Sequence, residues 1–123
     1  MTEPIDTSDQ TTVAERISRE IESLYAAHYR HGRGKATTYI NGKTVLCMIE
    51  GSRSDDESDE FERGHQSAVI DRRVAFQVNQ EDAFTEMVER ITQCKVVAFL
   101  SANQDSLTFA AELFVLDREP VEE

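Results

Sequence analysis

The dipeptide Asn41-Gly42 is the sequence feature that most constrains the fold, because it lies between two runs rich in β-branched and apolar residues. In this setting Asn-Gly is typical of a two-residue type I′ hairpin turn, since both residue types tolerate the positive φ that such a turn requires. The turn would pair Ile40 with Lys43. We therefore predict a β-hairpin over residues 37–49.

Both faces of this predicted hairpin are apolar. Because successive side chains of a strand point to opposite faces, one face holds Ile40, Val45, Cys47 and Ile49, and the other holds Tyr39, Leu46 and Met48. One face must pack on the protein core. The second is apolar enough to need cover from a partner or from another part of the chain.

A second hairpin is predicted near the C-terminus, from strands at residues 95–101 and 107–116 that flank the loop ANQDS. The first of these strands is apolar without alternation, which is typical of a strand covered on both sides. The second alternates and contains Glu112. This carboxylate either faces outward or pairs with a basic residue on a neighbouring strand or helix, because an isolated buried charge is costly.

Two amphipathic helices are also predicted. Thr12 and Glu15 form a capping-box pattern, and the apolar residues that follow at steps of three and four lead to Gly32, a left-handed cap. The second helix extends over residues 61–93, either unbroken or interrupted near residues 78–82. A helix of about 30 residues is roughly 45 Å long, which exceeds the width of a domain of this size. We therefore expect part of it to pack on a second subunit, as in a homodimer.

Together these elements predict an α+β fold of the order αββαββ, with a four-stranded antiparallel sheet covered by two helices, the second long. The single domain extends over residues 12–117. The tail 1–11 lacks a periodic apolar pattern and is predicted to be disordered, and residues 118–123 form a second acidic tail. Residues 51–63 hold six acids and two arginines, and they are predicted to form a solvated loop.

The chain is strongly acidic, with 24 acids, 13 bases and a formal net charge of −11. A high acid content with only three lysines is typical of proteins from a salt-rich cytoplasm, where dissolved ions screen the repulsion between carboxylates. The same charge disfavours nucleic acid as a partner, because that function calls for a basic surface. The N-terminus lacks a signal-peptide pattern, and no apolar run approaches the roughly 20 residues of a membrane-spanning helix. We expect a cytoplasmic protein.

Residues 28–43 depart from this acidity, because they contain no acid. Their four formal positive charges are Arg30, Arg33, Lys35 and Lys43. We name Arg30, His31, Arg33 and Lys35 the cationic segment. It begins in the last turn of the first predicted helix, where free carbonyls are negative, so each cation there stabilises the helix by about 0.3–1 kcal/mol. Alternatively, these four residues bind an anion, an acidic partner protein or anionic lipid. RNA is a weaker alternative, because few aromatic rings lie nearby.

The sequence contains no nucleophile or phosphate-binding motif. His28 and His31 could share a metal ion but lack an evident third ligand, and Cys47 and Cys94 lie in apolar stretches where free cysteines belong to the core. The acids of residues 51–63 lack the glycine and spacing of a calcium loop. We predict no enzymatic activity, cofactor or metal. The alternative is a small-ligand sensor or enzyme with a pocket between sheet and helices, with His28 or Cys47 at its mouth.

Three stretches resemble the MpsC-like family of small prokaryotic proteins: HYRHGRGKATTYINGKTVLCMIEG, DRRVAFQ and ERITQCKVVAFLSANQDSLTFAAELFVL. The resemblance covers about residues 12–117. Its most specific pieces are GRG after the first helix, the RRxFQ-like stretch from Arg72 to Gln77, and KVVAFLS followed by AAELFVL. The chain departs from the family pattern at Lys35, where proline is expected, and at SDDESDE, which replaces a Thr-Pro helix start.

The family is named for a sodium-translocating, membrane-potential-generating system. The resemblance therefore implies an accessory or binding protein that is associated with a membrane ion or bicarbonate transport system and peripheral to the membrane. Its partners would be subunits of that transport complex, besides a second copy of the chain. The resemblance carries over no catalytic residue.

Overall fold

Residues 12–29 and 34–121 are described by a computed structural model, in which four strands and four helices form an α+β fold. In chain order the elements are α1 (Val13–His28), β1 (Lys35–Asn41), β2 (Thr44–Glu50), α2 (Asp55–Glu62), α3 (Gln66–Asn79), α4 (Glu81–Thr92), β3 (Val96–Asn103) and β4 (Phe109–Leu116). The strands form one sheet in the order β1-β2-β4-β3, and every neighbouring pair is antiparallel. The predicted sheet of two joined hairpins is confirmed.

The first hairpin turns one residue later than predicted. Asn41 pairs with Thr44, so the two turn residues are Gly42 and Lys43, and Ile40 pairs with Val45. Gly42 has φ +61° at the first turn position, which a type II′ turn reserves for glycine. Because each partner moves by two residues, every side chain keeps the face that the sequence assigned to it.

One face of the sheet packs against α1 and α4, and between them lies the core. α1 begins with the predicted capping box of Thr12 and Glu15, whose backbone amides bond each other's side chains at 3.0 Å. Its buried stripe meets the buried stripe of α4 over the sheet. The core consists mainly of Val13, Ile17, Ile21, Tyr25, Val45, Cys47, Ile49, Phe76, Phe84, Met87, Val88, Ile91, Phe114 and Leu116.

The other face of the sheet has no helix over it among the described residues, and we call it the open face. Its apolar side chains are partly or largely exposed: Tyr39, Leu46, Met48, Leu100, Phe109, Leu113 and Val115. The prediction that β3 is covered on both sides is wrong, because β3 is an edge strand and both Val97 and Leu100 are 63% exposed. A continuous apolar run predicts that both faces of a strand are buried. It does not predict whether the same chain or a partner buries them.

The single long helix predicted over residues 61–93 is also wrong, because the segment forms the end of α2, all of α3 and all of α4. Gly64 separates α2 from α3 with φ +83°, a conformation that glycine adopts without strain. Gln80 ends α3 and begins α4, within the predicted point of interruption. The break lets Phe76 and Phe84 meet in the core with ring centroids 6.1 Å apart. Because the longest described helix has 16 residues, helix length gives no reason to expect a second subunit.

The acidic segment 51–63 contains a helix where a solvated loop was predicted. Ser54 caps α2 through a capping box, since its hydroxyl accepts from the Glu57 amide at 3.1 Å and Glu57 accepts from the Ser54 amide at 2.9 Å. Three acids occupy the first turn, where the helix dipole favours negative charge. The acidic residues that led to the prediction of a loop therefore stabilise the first turn of α2.

The Ser54 cap yields a test of this helix. We expect Ser54→Ala to lower the free energy of unfolding by about 1–2 kcal/mol, because the buried Glu57 amide loses its acceptor. Urea denaturation measures the change. The matched control is Ser67→Ala at an exposed position in the first turn of α3, which should change stability by less than about 0.5 kcal/mol. Equal effects of the two substitutions would contradict the cap.

Candidate functional site

The DRRVAFQ segment places two polar side chains on the buried side of α3. Arg73, Phe76 and Gln77 share one helix face because they are three and four residues apart. Arg73 is 0% exposed and Gln77 is 2% exposed. A buried arginine and a buried amide must find partners inside the protein, since leaving them unbonded would cost several kcal/mol.

Arg73 finds its partners on three other segments. Its guanidinium donates to Glu57 Oε1 at 2.7 Å, to the Ser52 backbone oxygen at 2.8 Å and to Ser52 Oγ at 3.1 Å. Its Nε donates to the Tyr29 hydroxyl at 3.1 Å, and the guanidinium lies 4.6 Å from the Tyr29 ring centroid. One side chain thus joins α3 to the start of α2, to the loop after β2 and to the end of α1.

Glu112 is the second buried charge-bearing residue, and it is 0% exposed. It accepts hydrogen bonds from the Tyr25 hydroxyl at 2.6 Å, from Gln77 Nε2 at 2.9 Å and from the Ser101 hydroxyl. Burial raises the pKa of this carboxyl above its ordinary value, although these three donors act in the opposite direction. The prediction that a buried Glu112 pairs with a base is wrong, because the groups that bond to it are the neutral donors Tyr25, Gln77 and Ser101, and Arg73 acts on it only through its charge at a distance.

Tyr25 and Gln77 connect Glu112 to its surroundings. Burial, and after it the neighbouring Glu112, raises the pKa of Tyr25, which keeps its hydroxyl a donor. Gln77 and Asn103 exchange two amide hydrogen bonds at 2.8 and 3.1 Å, which fix α3 to the end of β3. The Tyr25 ring contacts Phe76 edge-on at 5.1 Å and lies 5.6 Å from the Arg73 guanidinium.

The Arg73 and Glu112 clusters therefore form one continuous layer, which we call the buried polar network. Its members are Tyr25, Tyr29, Ser52, Glu57, Arg73, Gln77, Ser101, Asn103 and Glu112. Across the described part of the chain, every buried side-chain nitrogen and oxygen has a hydrogen-bond partner. Each buried polar side chain of the network therefore has at least one hydrogen-bond partner within the protein. Its chemistry holds helices, loop and sheet in register.

A hollow of about 370 Å³ adjoins the network at the end of α1, and its lining is His28, Tyr29, Ser54, Asp56, Glu57, Glu60 and Arg72. Two further concave surfaces adjoin the network. A cleft of about 400 Å³ lies beside the end of α1, and its lining is Arg19, Glu22, Ser23, Tyr25, Ala26, Tyr29, Gly34, Ile49 and Ser52. A groove of about 450 Å³ lies between α3 and β3, and its lining is Ile70, Val74, Gln77, Val78, Glu81, Phe99, Leu100, Ser101, Ala102 and Asn103. The network reaches both through its edges, at Tyr29 and Ser52 in the cleft and at Gln77 and Asn103 in the groove.

The structure separates the two residues predicted as alternatives for a pocket mouth, because His28 lines the hollow at the end of α1 and Cys47 lines none of these three surfaces. Cys47 lies in the core at 0% exposure, and burial raises the pKa of its thiol to about 12. His28 is exposed at the end of α1, with its ring 4.5 Å from that of Phe76. Cys47 and Cys94 are both free and buried. Among residues 12–29 and 34–121, no cluster of three histidines, cysteines or acids could hold a metal ion.

The cationic segment falls almost entirely outside the described residues. Arg30, His31 and Arg33 lie there, as does the predicted cap Gly32. Lys35 is described and is exposed at the start of β1. The assignment of these four residues to a binding site remains a prediction from sequence.

Sequence reasoning noted Glu112 but missed Glu57, Arg73, Gln77 and Asn103. A signal was present, because Arg73 and Gln77 are four residues apart and flank Phe76 on the same helix face. Glu112 likewise shares its strand phase with buried Ala110 and Phe114. Polar residues at core positions are a sign of a buried network.

Comparison with known proteins gives one match. A family model described as Na+-translocating membrane potential-generating system (MpsC) matches residues 9–118, which include every described helix and strand. No curated protein and no solved structure matches the chain. No helix within the described ranges is long and apolar enough to cross a bilayer.

Proposed function

The chain belongs to the MpsC family, and because the family name links it to a Na+-translocating, membrane-potential-generating system, we propose that it is a non-enzymatic accessory protein of such a system. It acts by binding other proteins. The observation that carries this proposal is the open face, a broad apolar sheet surface over which no described element packs. Exposed apolar patches of this kind mark surfaces for protein association.

The buried polar network supports a binding role over a catalytic one. Its arginine is paired with a carboxylate and its other carboxyl is bonded by three neutral donors, so each group is engaged within the protein. Catalytic acids and bases need access to a substrate and a pKa near the working pH. Tyr25 and Glu112, whose pKa values are raised by burial, are 6% and 0% exposed and serve to join secondary-structure elements.

The cationic segment supplies a second, electrostatic contact in this proposal. Arg30, Arg33 and Lys35 form a basic stretch in a chain of net charge −11, so they would orient the protein toward an anionic partner subunit or anionic lipid headgroups. The location is cytoplasmic and peripheral to the membrane.

Deleting the gene in its native host tests this function. We expect the deletion to lower the Na+-dependent membrane potential, read with a voltage-sensitive dye, and the wild-type chain to restore it. Capture of the tagged chain at native salt should enrich Na+-transport subunits. Arg30→Glu with Arg33→Glu should reduce that capture about tenfold, which corresponds to about 1.4 kcal/mol. This double variant leaves the charge pair of Lys35 and Glu50 unchanged.

The matched control is Lys43→Glu, an exposed charge reversal at the turn between β1 and β2. It should leave capture unchanged. An unchanged membrane potential in the deletion strain, together with a thermal shift of several degrees caused by a metabolite, would contradict the accessory role and favour a small-ligand sensor or enzyme. The cleft beside α1 would then be the place to look for the ligand.

A further inference from the structure

We propose that a second copy of this chain covers the open face, so that two sheets stack face to face in a homodimer. This inference rests on the proposed binding role and names one partner for it. The predicted long helix is divided among α2, α3 and α4 and does not support a dimer. The exposed apolar side chains of the open face support it instead.

The open face is apolar across its centre. Tyr39 is 56% exposed, Leu100 is 63% exposed and Phe109 is 41% exposed, and partly exposed leucine, methionine and valine side chains of β2 and β4 lie between them. Its charges, Lys35 and Glu50, are direct cross-strand partners at one corner of the sheet. The face is therefore electrically neutral as well as apolar.

The size of this face suits a sheet-on-sheet contact. Four strands about 4.8 Å apart are roughly 19 Å across, and seven residues at about 3.3 Å each extend roughly 23 Å. That flat footprint of about 440 Å² per face underestimates the accessible area of the corrugated side-chain layer. Each face therefore presents an area between this footprint and the roughly 800 Å² that each partner buries in a stable interface. Sheets that stack in sandwich proteins use faces of this kind, about 10 Å apart.

The open face is a surface on which a second copy of this acidic chain can dock without bringing carboxylates together. Two molecules of net charge −11 repel each other, and most surfaces of the chain would bring carboxylates together. The open face avoids this, because only its neutral corner carries charge. A two-fold axis through an apolar face matches the same surface on both subunits, and the small side chains Ala98, Ala102 and Ala111 leave room between the larger ones.

The test is the mass of the full chain in solution, measured by light scattering on a size-exclusion column. We expect twice the 14.0 kDa of the monomer. Leu46→Lys places a charge at the centre of the interface, so we expect it to raise the dimer dissociation constant at least about 100-fold. The control Ala83→Lys, at an exposed position of α4 on the opposite side of the sheet, should leave the dimer intact. Circular dichroism verifies that each variant is folded.

Tyr39→Lys serves as a second variant if Leu46→Lys fails to fold, because Tyr39 is largely exposed in the monomer and lies on the open face. Added salt should strengthen the wild-type dimer by screening the repulsion between copies. A monomeric wild type at 100 μM in high salt, or a dimer that Ala83→Lys disrupts and Leu46→Lys does not, would overturn the inference. A monomer that still captures transport subunits through Leu46 would overturn the homodimer and leave the proposed function standing.

Discussion

Replacing Arg73 with methionine should lower the free energy of unfolding by about 3–5 kcal/mol, because it leaves the Glu57 carboxylate buried without its partner. The Ser52 backbone oxygen and the Tyr29 hydroxyl lose hydrogen bonds at the same time. Methionine preserves the unbranched stem of arginine as far as Nε and lacks the rest of the guanidinium group, so the loss combines charge, hydrogen bonding and the volume left behind. Urea denaturation followed by circular dichroism measures the change.

The neighbouring Arg72 supplies the matched control. It pairs with Glu60 at 2.9 Å, but its side chain is 59% exposed, so Arg72→Met should cost less than about 1 kcal/mol. The double variant Arg73→Met with Glu57→Gln should recover part of the lost stability, because the uncompensated charge is removed. If Arg72→Met and Arg73→Met were equally destabilising, the role assigned to the buried ion pair would be wrong.

Removing the Glu112 side chain should also be costly. We expect Glu112→Ala to lower the free energy of unfolding by about 3–5 kcal/mol, because the buried donors Tyr25 and Gln77 and the Ser101 hydroxyl lose their acceptor and a cavity remains. Glu112→Gln preserves the shape and one acceptor oxygen, so it should cost much less. The exposed Glu86→Ala on α4 is the control and should stay within about 0.5 kcal/mol of wild type.

The raised pKa of Glu112 also predicts a pH dependence. Between the ordinary pKa of a glutamate, about 4.3, and the higher pKa in the folded state, the folded protein holds a proton that the unfolded chain has released. The stabilising contribution is therefore complete below the ordinary pKa and declines as pH rises toward the folded-state pKa. Glu112→Gln should remove this decline, and the difference between the two stability profiles measures it. A difference that does not change with pH would show that Glu112 ionises as readily inside the protein as in the unfolded chain.

Local patterns in the sequence predicted the parts of this fold that depend on local chemistry. The capping box at Thr12, the first hairpin and the two faces of its strands follow from neighbouring residues alone. The hairpin register shifted because Gly42 suits two turn types and the sequence does not distinguish them. Helix α2 was missed because its acids were counted as a reason for solvation, although the Ser54 cap was also visible.

The buried polar network could not be predicted in the same way, because its bonds join residues far apart in the sequence. Arg73 meets Tyr29 across 44 positions, and Glu112 meets Tyr25 across 87. The sequence shows polar residues at core positions, but which of them meet depends on how four separate segments pack. The expected base beside Glu112 was wrong for this reason, since Arg73 bonds to Glu57 instead.

The strand order β1-β2-β4-β3 has a consequence for how this protein is made on the ribosome. β2 gains its second neighbour only from β4, which follows it in the chain after three helices and β3. Until β4 has been synthesised, α1 and the first hairpin have no inner partner for much of their apolar surface, and such nascent segments aggregate readily. A chain that terminates before β4 should therefore be a substrate for chaperones and proteases.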